Sequence, residues 1–201
     1  MALTIIRKKD QRIVRAFTHR LADIANGVNI ATADFTQTLL REGTPVGKDT
    51  NGLYHIVKTS EVAVNAGSDA TTYVVKKGHN FKTGDVIFAK VGGKAYAITS
   101  IANDASHEGC DILTVGTTLG VAITAGDVVA EAKSAGASAG AFKYIPVGLV
   151  GENYDVDALT NRPANVVTIG QATKSCMPAL GFVADSLKGI IIVYQLITAE
   201  K

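Results

Sequence analysis

The side chains that could do chemistry are few and scattered. The four histidines are His19, His55, His79 and His107, and none falls in the His-Glu-x-x-His spacing that lets one helix face hold zinc. His107 stands three residues before Cys110, with Glu108 and Asp111 beside them. A turn could bring these together, but a zinc site there needs two more ligands from elsewhere in the chain. The plain reading is a polar loop ahead of a strand at 111–115. A phosphate loop needs glycine five residues before Gly-Lys and a hydroxyl residue after it. Gly93-Lys94 is followed by Ala95 with Phe88 at the first position, and Gly47-Lys48 by Asp49 with Glu42 there, so both fail. No Gly-x-Ser-x-Gly elbow occurs. Asp85, Asp127, Asp155 and Asp157 all fall where acids cap turns. Cys110 and Cys176 read as reduced thiols packed as small apolar groups. No cofactor, no metal and no catalysis are expected.

The elements around these residues read as strands and turns. Tyr73-Val74-Val75 is β-branched and aromatic, and Val86 to Val91, Lys94 to Ile98 and Asp111 to Val115 read as further strands. Asn51-Gly52 and Gly92-Gly93 are each expected to turn a two-residue hairpin. The pattern Gly78-x5-Gly84-Asp85-Val86-Ile87 returns 42 residues later as Gly120-x5-Gly126-Asp127-Val128-Val129. Glycine supplies backbone freedom and aspartate caps the turn into a buried strand. Phe142 to Val150, Ala164 to Ala172 and Ile190 to Leu196 close the set of strands. Met177 to Lys188 predicts a short helix, with Pro178 near its start and Gly189 after it. At the other end, Ile13, Val14, Phe17, Leu21 and Ile24 share a helical spacing that predicts a helix over about 10–25, ending at Asn26-Gly27. Residues 28–40 are expected to be extended.

Ser134 to Gly140 contains only small residues and reads as a flexible linker. With Asn65 to Asp69 it brackets residues 71–133. The expected architecture is therefore mainly β. A small barrel- or sandwich-like host domain (36–70 and 141–201) carries an inserted β domain (71–133), a short C-terminal helix and a basic N-terminal arm (1–35).

Hydrophobic residues make up 47% of the chain and charged ones 19%, enough to bury a core and too little charge for disorder. Net charge is +2, yet residues 1–20 hold Arg7, Lys8, Lys9, Arg12, Arg15 and Arg20 against Asp10 alone. The body is thus slightly acidic, and the six cations are the candidate partner-binding residues. No aromatic interleaving accompanies them, so an acidic protein surface is the expected contact and nucleic acid is not. No stretch approaches the ~18 uninterrupted apolar residues of a membrane helix, and no apolar run follows the first charges as in a secretory signal.

Three segments, in order, resemble bacteriophage head decoration and head-fibre-type proteins. LLREGTPVGKDTNGLYHIV at 39–57 resembles their opening, a Gly-Thr-x-x-Gly segment leading into a hairpin. YIPVGLVGENYDVD at 144–157 looks like their next strand and turn. ANVVTIGQATKSCMPALGFVADSLKGIIIV at 164–193 resembles their ending. The 71–133 unit and the long arm depart from a minimal decoration protein. The resemblance implies a non-enzymatic structural protein of the virion, a homo-oligomer (a trimer first of all) seated on the major capsid protein and assembled in a bacterial cytoplasm. On that reading residues 1–27 are dispensable for folding and needed for docking. Two other readings stay open. One is a carbohydrate-binding β module using Tyr73, Phe81, Phe88 and Tyr96. The other is an enzyme built on His107, Glu108, Cys110 and Asp111.

Overall fold

A computed structural model describes residues 15–156, 160–187 and 191–194, the last four by backbone alone. The chain is mainly β, with one short helix near its C-terminal end. β1 (Phe17–Asp23) and β2 (Val28–Ile30) come first. A 3-10 turn (Thr32–Asp34), β3 (Leu39–Leu40), β4 (Pro45–Lys48) and β5 (Tyr54–Ile56) follow. Six consecutive strands come next: β6 (Thr59–Glu61), β7 (Thr72–Lys76), β8 (Val86–Phe88), β9 (Ala95–Asn103), β10 (Cys110–Val115) and β11 (Val128–Glu131). The chain then returns through β12 (Pro146–Val150), β13 (Tyr154–Asp155), β14 (Arg162–Ala164) and β15 (Val166–Thr173). A 3-10 turn (Lys174–Cys176), helix α1 (Val183–Ser186) and β16 (Ile191–Tyr194) end it.

The outer strands form one sheet in the order β1-β15-β12-β4-β5-β2-β14, with β16 lying parallel to β15. It curls into a half-barrel around Val28, Ile30, Phe35, Leu40, Val46, Ile56, Val150 and Val166. β3 and β13 pair separately beside it. The middle strands form a second sheet, β6-β11-β8-β9-β10-β7. Its ends meet: Val62 bridges Val75, and the Ala63 N–H donates to the Val74 carbonyl at 2.8 Å. The six strands thereby close into a small barrel. Alternation points Tyr73, Val75, Ile87, Ile98, Leu113, Val115 and Val129 inward, all essentially without solvent exposure. Each large side chain so buried contributes about 1.5–3 kcal/mol.

The repeated Gly-Asp motif makes two matching turns. Gly84 (φ 95°) and Gly126 (φ 97°) lie in the left-handed region that favours glycine. The Asp85 carboxylate accepts the Lys82 N–H, and the Asp127 carboxylate accepts the N–H and hydroxyl of Thr124, all at 2.7–2.8 Å. Each turn launches a strand of the barrel, β8 and β11.

A third core joins the two sheets. Phe88, Ala95, Ala130 and Ala132 from the barrel side pack with Phe17, Leu149, Val167, Ala172, Leu180, Val183 and Leu187 from the half-barrel side. Phe88 meets Phe142 edge-on at 5.2 Å and Phe182 at 5.1 Å, distances at which aromatic pairs attract.

Several local expectations change. Phe17–Asp23 is a strand, not part of a helix, because β15 offers it a full antiparallel partner. Register shifts along β1 also put Phe17 inside and Leu21 outside, which undoes the helical stripe. Residues 1–14, the rest of the arm, lie outside the described residues. Asn26 and Gly27, read as a helix cap, are both at positive φ and turn the chain between β1 and β2. Asn51-Gly52 does lie between paired strands, but in a five-residue loop where Asp49 Oδ1 accepts the N–H groups of Asn51 and Leu53. Gly92-Gly93 sits in a six-residue loop, since Phe88 pairs Ala95. The extended stretch 28–40 is broken by the turn at Thr32–Asp34. The helix expected over 177–188 is confined to Val183–Ser186 in the described part. β6, within the host segment as first drawn, pairs in the barrel.

Ser134 to Gly140 is not a free tether. Gly136 and Ala95 exchange hydrogen bonds, as do Gly140 and the Gly92–Gly93 turn. A Cβ on Gly140 would come within 2.5 Å of the Lys90 carbonyl. Small residues serve close backbone approach here, not flexibility. Residues 1–27 include β1 and the core residues Ala16 and Phe17, so deleting them would also remove that strand and those contacts.

Candidate functional site

The densest polar chemistry lies at the seam where the chain passes between the sheets. Lys58 sits in the crossing from β5 to β6 and is buried. Its Nζ lies 2.7 Å from Asp85 Oδ2, ahead of β8, and 3.5 Å from Glu131 Oε1, the last residue of β11. Lys143 reaches the same Glu131 oxygen from the returning chain, at 2.7 Å. Glu131 is 2% exposed, and its Oε2 has no hydrogen-bond partner among the described residues. Burial pushes the Glu131 carboxyl above its ordinary range, while the Lys143 hydrogen bond and the Lys58 charge pull it back. Burial opposes the Lys143 charge, but the Glu131 carboxylate outweighs it and raises that ammonium.

The cluster continues outward. Lys143 Nζ stands 5.5 Å over the Tyr144 ring, and that ring stacks on His55 at 4.1 Å with the planes 6° apart. His55 offers Nδ1 to Asp34 Oδ2 at 2.6 Å and faces Asp49 Oδ2 with Nε2 at 3.6 Å. Burial alone would raise Asp49, yet the N–H groups of Leu53 and Asn51 with His55 hold it below the usual range. Two carboxylates thus face the ring, one at each nitrogen. The whole array pairs cations with anions from both sheets and the chain crossings between them.

The cations picked out in the sequence divide. Arg7, Lys8, Lys9 and Arg12 lie outside the described residues. Arg15 is exposed, 3.9 Å from Glu152. Arg20 projects from β1 onto its own fold: it ion-pairs Glu42 and Glu152 at 3.6 Å each and donates to the Gly151 carbonyl. Glu42 is itself buried, so Arg20 compensates a buried charge. Next to it the outward face of the open sheet carries Leu21, 79% exposed on β1, and Ile169, 46% exposed on β15.

The His107 cluster comes apart. The His107 ring bonds Asp104 at 2.7 Å, which with the Ser106 N–H holds that carboxyl below its ordinary range. Cys110 is buried. Asp111 faces Lys77 at 3.8 Å and His79 at 3.4 Å. Among the described residues no three His, Cys, Asp or Glu side chains gather as metal ligands. Tyr73, Phe81 and Phe88 are buried in cores, and Tyr96 packs half-buried against the barrel interior. They form no exposed aromatic platform.

No family model matches the chain, and no curated protein or solved structure matches it. Sequence reading did not single out Lys58, Glu131 or Lys143. The usable signal was Glu131, a carboxylate closing the apolar run Val128-Val129-Ala130, since a charge among buried positions demands a partner.

Proposed function

We propose that this chain is a non-enzymatic structural protein of a bacteriophage virion that decorates or projects from the capsid through protein–protein contacts, working as a homo-oligomer with three copies the first expectation. The observation that carries this reading is the edge strand β1. Among the described residues it has a paired neighbour on one side only; it presents Leu21 outward and follows directly on the residues bearing Arg7, Lys8, Lys9 and Arg12. An unpaired strand edge is a surface on which another chain adds, and neighbouring cations steer it to an acidic surface. The closed barrel, which has no such edge, suits the part that projects. The ordered resemblance of residues 39–57, 144–157 and 164–193 to decoration proteins points the same way.

The test uses empty shells of the major capsid protein encoded in the same genome. The purified protein should sediment with them, and a variant lacking residues 1–14 should fold but stay in the supernatant. Light scattering should give a mass of three chains, free or after release from shells. Failure of the full chain to bind, or the lack of any capsid gene in that genome, would overturn the reading.

A further inference from the structure

We infer that Lys58 and Asp85 are the two halves of an intramolecular isopeptide bond, formed autocatalytically with Glu131 as the proton shuttle. Three features of the geometry carry this. The Lys58 amine lies at contact distance from a carboxylate, 2.7 Å from Asp85 Oδ2. A second carboxylate, Glu131, stands 3.5 Å from the same nitrogen and is as buried as the lysine, with 3% of each side chain exposed. The Lys82 backbone N–H donates to Asp85 Oδ2 at 2.8 Å, where it would stabilise negative charge developing on that oxygen.

The step balances without any added reagent. Glu131 takes a proton from the Lys58 ammonium and passes it to Asp85, so that a free amine meets a neutral carboxylic acid. The amine attacks Asp85 Cγ, Glu131 takes a second proton from the attacking nitrogen and gives it to the Asp85 hydroxyl oxygen, and the C–Oδ1 bond breaks as one water leaves. Ammonium plus carboxylate thus become amide plus water, with no change in oxidation state. Held reactants replace a bimolecular encounter, and a buried site disfavours the charged pair relative to the neutral amide. Burial also raises the Glu131 carboxyl, which suits a group that must carry a proton and release it. The charge count supports the product. Once Lys58 and Asp85 are neutralised, Glu131 and Lys143 remain as a one-to-one pair at 2.7 Å. Glu131 can then accept the new amide N–H, a donor its partnerless Oε2 now lacks.

The experiment is an intact mass of the purified, denatured full chain, followed by a tryptic map. The expected mass is lower than the sequence mass by one water. The map should show a branched peptide joining Lys58 to Asp85 and no cleavage after Lys58. Asp85→Asn should lose one ammonia instead, since an amide side chain releases that group. Lys58→Arg and Glu131→Gln should show the full sequence mass. A wild-type chain at full mass, or one lighter by a water with no branched peptide, overturns the proposal whatever the variants do. Loss of water persisting in Glu131→Gln would remove Glu131 from it. None of these readouts depends on capsid binding.

Discussion

In the barrel every strand has a neighbour on both sides, whereas in the half-barrel β1 and β14 have one each among the described residues. Both sheets alternate apolar and polar residues, and both bury Val, Ile and Leu. What differs is closure, and closure decides where the surface can engage other chains. The barrel's only strongly exposed large apolar side chain is Val91, in a loop, while Leu21 and Ile169 sit together on the open sheet. The molecule thus combines a closed unit with one that keeps an open strand edge among the described residues, joined by a shared core and by the Lys58 cluster.

The largest test of that lock is Lys58→Met. It leaves the Asp85 carboxylate without the Lys58 amine, as ion pair or as amide, while Glu131 keeps Lys143, and should cost about 3–5 kcal/mol in chemical denaturation. A single transition is expected, since the core around Phe88 couples the sheets; two separated transitions would show that they fold independently. Next come two leucines. Leu113→Ala inside the barrel should cost about 2–5 kcal/mol. Leu21→Lys on the open edge should leave stability within about 0.5 kcal/mol and abolish self-association on a sizing column. Gly84→Ala and Gly126→Ala should each cost about 1–2 kcal/mol. Neither added methyl has a neighbour within 4 Å, so the two costs should be equal.

The smallest effect concerns acid. Burial holds the His79 ring below its ordinary value, against the pull of Asp111. As pH falls below about 6.5, the unfolded chain binds a proton that folded His79 declines. Stability should therefore drop as pH falls from that point, and the loss should stop once the lower, folded value is passed. His79→Asn should flatten thermal melts across that window, and an unchanged slope would remove His79 as the cause.

The β character, most strands and the paired Gly-Asp turns were legible in the sequence, because period-two alternation and turn chemistry are local. The β1 region was not. Its apolar spacing fits a helix, and only a distant partner, β15, decides for a strand. The small-residue run 134–140 misled for a similar reason: composition reports the absence of side chains, but not whether backbone lies against the gap. For the site, Arg20 was visible as a cation and its role was not, since Glu42 and Gly151 lie 22 and 131 residues away. The seam cluster draws Asp34, Asp49, His55, Lys58, Asp85, Glu131 and Lys143 from six stretches of chain, a grouping that no spacing rule reveals.

β15 holds one further consequence. β1 runs against it with Phe17 opposite Ala172, and β16 runs along it with Val193 beside the same Ala172. Residue 17 and residue 194 thus sit at one end of one strand, about two strand spacings or 10 Å apart. A short loop could join them, so a circularly permuted chain opened at an exposed barrel loop such as Gly92-Gly93 should keep the fold. Pulling on the same two residues would instead unzip β1 and β16 from β15 bond by bond, leaving the barrel outside the line of tension.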